Sequence, residues 1–183
     1  GIAIGALSGA VSGGLVYLAD DKQLRDLTFW GLGSLAGATW AKVIGAGPLM
    51  LISIVIASTL GRGLNGLALG EATAAHIGIS TQKLKNISIC TVAAATGAAV
   101  SVSGSIGFIG IIVPHLLRKT LGPDHRTLIL NSGFLGAITL IFSDMISRVI
   151  IAPSELPIGI VTAILGAPVF LWILLRQRDT SIW

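Results

Sequence analysis

Charge is what this sequence has least of. Only 11% of its 183 residues are Asp, Glu, Lys or Arg, well below the share in a water-soluble domain. Cysteine is nearly absent too. Cys90 stands alone in an apolar run, which excludes a disulfide framework within the chain and gives the thiol a packing role. No G-x-x-x-x-G-K-[ST] loop is present, so the chain does not hydrolyse ATP by itself. His76, His115 and His125 have no second ligand at metal spacing and read as loop or helix-end residues, so no metal site is expected. Gly104, Gly107 and Gly110 imitate a nucleotide loop but lie in an apolar run, where they suit close helix packing. No nucleophile sits beside a base, so an enzyme is not expected. The net charge of +4 is scattered over loops and forms no basic stripe. It marks membrane topology rather than a nucleic-acid partner.

What the chain does have is apolar sequence: 53% hydrophobic residues and a mean hydropathy of +0.89. The apolar runs are continuous, not alternating, which excludes a barrel and predicts an all-α, polytopic transmembrane bundle. Gly1 opens the chain with no initiator Met, basic stretch or cleavage site, which is not a signal-peptide pattern; the expected start is inside a longer protein. Over residues 1–19, Gly1, Gly5, Gly9 and Gly13 share one helical face, which serves either ordinary close packing or a pathway or subunit contact. Residues 20–42 read as an extracytoplasmic helix and loop. Asp20 or Asp21 caps the helix, Leu24, Leu27 and Trp30 share a face, and Trp30 and Trp40 suit the membrane interface. Residues 43–60 cross back, with Pro48 expected in the first turns. The charge-free run 87–117 is too long for one straight span and is read as two, bent near 103–107. A turn at Gly122-Pro123, a span over 127–147 and a last span capped by Ser154, with Pro157 in its first turn, complete six spans with both ends cytoplasmic.

Between the spans, residues 61–86 carry Arg62, Glu71, His76, Lys83 and Lys85, while both flanks are uncharged. The stretch reads as two short helices joined at Gly78, with Gly78 left-handed and Ser80 or Thr81 capping the next span. A plain return loop would need fewer residues. The bundle shows no ionisable pair near mid-membrane of the kind a secondary transporter or channel uses. Those classes, and a purely structural role, remain the alternatives to ATP-driven transport.

The segments GFIGIIVPHLLRKTLGPDHRTLIL (107–130), SELPIGIVTAILGAPVFLWILL (154–175) and LALGEATAAHIGI (67–79) closely resemble the permease subunits of bacterial ABC importers for ferric siderophores, haem and cobalamin, the FecCD type. Every segment of the chain can be placed on that pattern. The resemblance implies the last six of ten helices of a permease domain in the bacterial cytoplasmic membrane. Its implied partners are a second permease copy, an ABC ATPase that binds the ATP, and a periplasmic or lipoprotein substrate-binding protein; no cofactor belongs to the chain itself. It implies an ATPase contact over 64–78, carried by Leu64, Leu67, Leu69, Gly70, Glu71, Ile77 and Gly78. It places Gly5, Gly9 and Gly13 on a pathway-lining helix, and Arg148, seven residues before Glu155, as an outer docking charge for the binding protein. Many relatives carry a second acid where this chain has Ala72, which implies altered charge pairing with the ATPase. For the cargo, DDKQLRDLTFWGLGSLAGATW (20–40) resembles haem permeases somewhat more than siderophore permeases, with cobalamin third.

Overall fold

Backbone polar groups cannot stay unpaired in hydrocarbon, so a chain this apolar must close its hydrogen bonds within helices. A computed structural model describes residues 2–150 and 156–178, and these form nine helices and no strands. They are α1 (Ile2–Tyr17), α2 (Asp21–Leu32), α3 (Trp40–Thr59), α4 (Gly61–Ala68), α5 (Glu71–His76), α6 (Thr81–Ser103), α7 (Ile109–Leu121), α8 (His125–Ile150) and α9 (Ile158–Arg178). Three of them, α3, α6 and α8, are long and apolar enough to cross a membrane; Ala3–Tyr17 and Ile158–Trp172 are shorter apolar helices. The break expected in the run 87–117 is present. α6 stops at Gly104 (φ 71), and α7 restarts after Phe108.

Contacts sort the connections into two ends. At one, Ser34 N–H donates to Ser103 O (2.8 Å), and Gly159 packs so closely on Leu32 that an added Cβ would lie 1.9 Å from its carbonyl oxygen. At the other, α4, α5 and the starts of α6 and α8 meet. The second end carries Arg62, Lys83, Lys85, Arg118, Lys119 and Arg126, with Arg176 and Arg178 at the end of α9, against Lys22, Arg25, Lys42 and Arg148 at the first. Eight basic residues against four make it the cytoplasmic end. We call the two ends inner and outer.

The interior mixes aliphatic side chains, Leu84, Val113, Leu117, Leu128, Ile158 and Val161 among them, with small hydroxylated ones. Ser53, Thr91, Ser143, Ser147 and Thr162 are buried, while Leu51, Phe134, Ile141 and Phe142 are exposed. Lipid tails are as apolar as Leu, so burying Leu gains little, whereas small side chains let helices approach. Four of the buried hydroxyls bond carbonyls of their own helix: Ser53 donates to Leu49 O (2.8 Å), Thr91 to Ile87 O (2.7 Å), Ser147 to Asp144 O (2.8 Å) and Thr162 to Gly159 O (3.1 Å). The one larger buried cluster, Val113, Leu117 and Leu128, joins α7 to α8.

Three expectations, on Pro48, on Gly107 and Gly110, and on His115, need correction. Pro48 is the ninth residue of α3, because Thr39 caps the helix three residues earlier than the apolar run suggests, accepting from Lys42 N–H at 3.4 Å. Cys90 is exposed on α6, where it lines a groove with Leu49, Ile52, Ser53 and Ile56 of α3. Among Gly104, Gly107 and Gly110, only Gly104 makes a close approach, as the left-handed residue ending α6; an added Cβ at the other two meets nothing. His115 lies inside α7 rather than at a helix end, with Nε2 enclosed and unpartnered. The expected Ser154 cap, and Glu155, lie outside the described residues.

Candidate functional site: the inner helical pair and the outer arginine

The sequence GRGLNGLA folds as the short helix α4 because its apolar residues share one face and its glycines admit neighbours. An added Cβ at Gly61 would lie 2.9 Å from Arg126 Cα, and one at Gly66 only 2.2 Å from Ile79 Cδ1. The helix is thereby laid against the start of α8 and the approach to α6. The chain then turns at Gly70, whose φ of 104 and ψ of 150 belong to a region open essentially to glycine alone. The two short helices thus join at Gly70, not at Gly78 as the sequence suggests. A helix breaks where the backbone must leave the right-handed region, and Gly70 is the first residue to do so.

Gly78 has its own role. With φ at 83 it is the C′ residue of α5: Gly78 N–H bonds Ala75 O and Ile79 N–H bonds Ala74 O, both at 3.0 Å. These two bonds make a Schellman motif, which satisfies the last carbonyls of α5. Ser80 then sits at the N-cap of α6 without a side-chain capping bond. Ala74, fully buried, holds α5 against the bundle, while Leu69 (69% exposed) and Ile77 (60%) flank it in the open. Leu64 and Leu67 are half-buried, and Gly70, Glu71 and Gly78 are exposed. Glu71 pairs with Lys85, tying α5 to the first turns of α6.

At the outer end Arg148 Nε donates to Asp144 Oδ2 at 2.8 Å, one helical turn away on α8. The Arg148 side chain is half exposed, whereas that of Asp144 is only 22% exposed. Gly5, Gly9 and Gly13 line a face of α1 on which an added Cβ meets nothing, and residues 3–18 are exposed throughout. No set of three metal-ligating side chains comes together among the described residues.

Two features escaped the sequence reading. Asn65 joins α4 to the first turn of α8 by side-chain hydrogen bonds across about 60 residues of sequence. An asparagine inside an amphipathic octet gave no signal of a distant partner. Phe108 has φ 67 and ψ −38, and Ile109 N–H bonds Gly107 O at 2.8 Å, which makes a strained γ-turn before α7. Its Cβ sits where Gly166 leaves room. The neighbouring Gly107 had drawn the turn reading to itself.

Comparison with known proteins follows the same geometry. The FecCD transport family matches residues 1–176. The "Hemin transport system permease protein HmuU" of Yersinia pestis is 44% identical over 179 residues, 98% of this chain and 54% of that protein. The "Vitamin B12 import system permease protein BtuC" of Vibrio cholerae is 42% identical over 181 residues, again 98% and 54%. A solved structure described as a metal-chelate type ABC transporter in an inward-facing conformation superposes with a TM-score of 0.88 at 31% identity, covering 96% of this chain and 57% of that one. The chain thus spans about half the length of the relatives it matches.

Proposed function

The chain belongs to the FecCD transport family, and from that membership we propose that it forms part of the permease of an ATP-driven importer in the bacterial cytoplasmic membrane. The six helices read from the sequence would be its membrane spans. A separate ATPase subunit binds and hydrolyses ATP, a binding protein delivers the cargo from outside, and a second permease copy completes the pathway. The observation that carries this reading is the α4–α5 pair at the inner end. It is placed by the buried Ala74, the Gly70 turn and the Schellman turn, yet leaves Leu69 and Ile77 open to water. Apolar side chains held open to water in a built turn mark a protein contact. A loop that only returned the chain to the membrane would need neither the built turn nor the exposed pair.

The cargo in this reading is an iron chelate, with haem ranked ahead of a ferric siderophore on the stretch 20–40. Cobalamin is the alternative, favoured by the 42% identity to a vitamin B12 permease. Full-length permease, reconstituted with its ATPase and binding protein, tests all three. Uptake of haem that requires ATP and both partners is expected. Uptake that follows an ion gradient without ATP or partners would overturn the reading in favour of a secondary transporter.

A further inference from the structure

The inner end holds one polar contact set that the coupling reading does not use. Asn65 of α4 lies 59 and 60 residues before Asp124 and His125 at the start of α8. Asp124 is a carboxylate and only accepts, so it is Asn65 Nδ2 that donates to its Oδ1, at 2.7 Å. This fixes the direction of the amide. Asn65 Oδ1 then faces α8, where the backbone N–H of His125 donates to it at 2.9 Å. His125 Nδ1 lies 2.8 Å from the same oxygen, an acceptor, so the imidazole carries a proton on Nδ1. Asp124 Oδ1 also accepts from Arg126 N–H at 2.9 Å and so caps α8. Each donor in the set meets an acceptor.

Contact of backbones reinforces the clasp, because Gly61 leaves no room for even a Cβ against Arg126. From there α8 runs 26 residues to Ile150, about 39 Å of helix, with Asp144 and Arg148 near its far end. One element therefore reaches from the coupling helices to the opposite side of the membrane.

We propose that Asn65 is a positioning residue: a clasp that makes α4 and α8 one mechanical unit, so that a shift of the coupling helices is carried along α8 to the outer end. This rests on the coupling role given to α4 and α5 above. Removing the amide frees α4 from α8 and leaves the exposed anchors Leu69 and Ile77 in place.

The test uses full-length permease reconstituted with its ATPase and binding protein, comparing the parent, Asn65→Ala, Asn65→Asp, and Asn65→Asp combined with Asp124→Asn. In Asn65→Ala, compared with the parent at equal amounts of ATPase bound, stimulation of hydrolysis by the binding protein is expected to fall about fivefold or more. Asn65→Asp sets two carboxylates against each other and should fall at least as far. The combined exchange should restore part of the stimulation, since a carboxylate at 65 accepts from His125 and an amide at 124 donates to it. Parental stimulation in Asn65→Ala overturns the clasp, and so does loss of ATPase binding, which would make Asn65 part of the docking surface only. If Asn65→Ala does not fold, the exchanged pair decides, and its failure to recover stimulation relative to Asn65→Asp overturns the clasp. A parent that binds no ATPase overturns the coupling reading, and the clasp with it.

Discussion

At the outer end of the bundle Gly104 and Gly159 face backbone, whereas at the inner end only Gly61 of the three α4 glycines does so, and Gly63 and Gly66 face the tips of flexible side chains. An added Cβ at Gly159 would lie 1.9 Å from Leu32 O, and one at Gly104 would lie 2.2 Å from Trp30 O. At the inner end an added Cβ at Gly63 or Gly66 would meet Leu84 Cδ1 at 2.8 Å or Ile79 Cδ1 at 2.2 Å. Carbonyl oxygens cannot swing away without moving a helix, but a methyl at the end of Leu or Ile can rotate. The outer end is therefore a fixed cap that joins α2, the 104–108 turn and α9. The inner end is an adjustable seat in which hydrogen bonds, rather than backbone contact alone, hold α4 and α5. A membrane protein that must couple a cytoplasmic event to an outer one gains from having one end rigid and the other able to shift.

The largest effect follows from the rigid end. Gly104→Ala adds both a left-handed non-glycine residue and a backbone overlap, and should cost about 3 kcal/mol or more. Gly63→Ala, against a leucine methyl, should cost about 1 kcal/mol or less. Thermal unfolding in detergent of the two variants checks the contrast. Equal losses would erase the distinction between the two ends.

Next come the turns of the coupling pair. Gly70→Val and Gly78→Val each force a β-branched residue to positive φ, worth about 1–3 kcal/mol of local strain. Nothing crowds the Cβ position at Gly78, so its cost is conformational alone. Gly70 sits in the more restricted region and should lose more. Both variants should stay folded, because the outer cap is untouched, yet lose ATPase assembly or stimulated hydrolysis. Normal assembly and hydrolysis in Gly70→Val would show that the angle between α4 and α5 carries no function.

How much of this contrast could be read in the sequence depends on the range of the cause. Helix positions, the break after Ser103 and the left-handed Gly78 follow from local chemistry: apolar run length, and a glycine after a short alanine-rich helix. Gly70 and Glu71 precede the short alanine-rich pattern, so the start of α5 is legible too; that the two short helices join at Gly70 rather than at Gly78 is not, because the two glycines look alike in sequence. Pro48 was misplaced because Trp40 and Lys42 are polar enough to resemble loop. The clasp of Asn65 on Asp124 and His125 was illegible for a different reason. It spans about 60 residues, and no local pattern in either segment announces the other.

A smaller effect within this chain is expected from Gly9→Leu. The glycine face of α1 is open, so the substitution should leave the packing of the described helices unchanged. In the full-length protein the same change should lower transport if another helix or a second copy approaches that face, since close backbone contact leaves no room for leucine. Uptake assays on reconstituted protein decide this. Full uptake would assign the face to lipid.

The smallest effect on stability, and the sharpest on kinetics, is expected at Arg148. It is paired with Asp144 one turn away, and the arginine side chain is half exposed. The arginine's bond to Asp144 is of the kind that contributes about 0–1 kcal/mol, so loss of that bond alone should move the unfolding temperature little. Docking makes a different demand. A guanidinium already oriented by Asp144 loses less freedom on meeting a carboxylate of an arriving protein, and its long-range attraction speeds encounter. Association of the binding protein with reconstituted transporter, followed across a salt series, separates the two roles. Arg148→Glu should slow association most at low salt and converge on the parent as ions screen the charge over about 10 Å at 0.1 M. An acid-to-arginine change on the binding protein should recover the rate. Unchanged association together with a drop in folded protein would make Arg148 a structural residue, and the fixed outer end would then lack a docking charge on this helix.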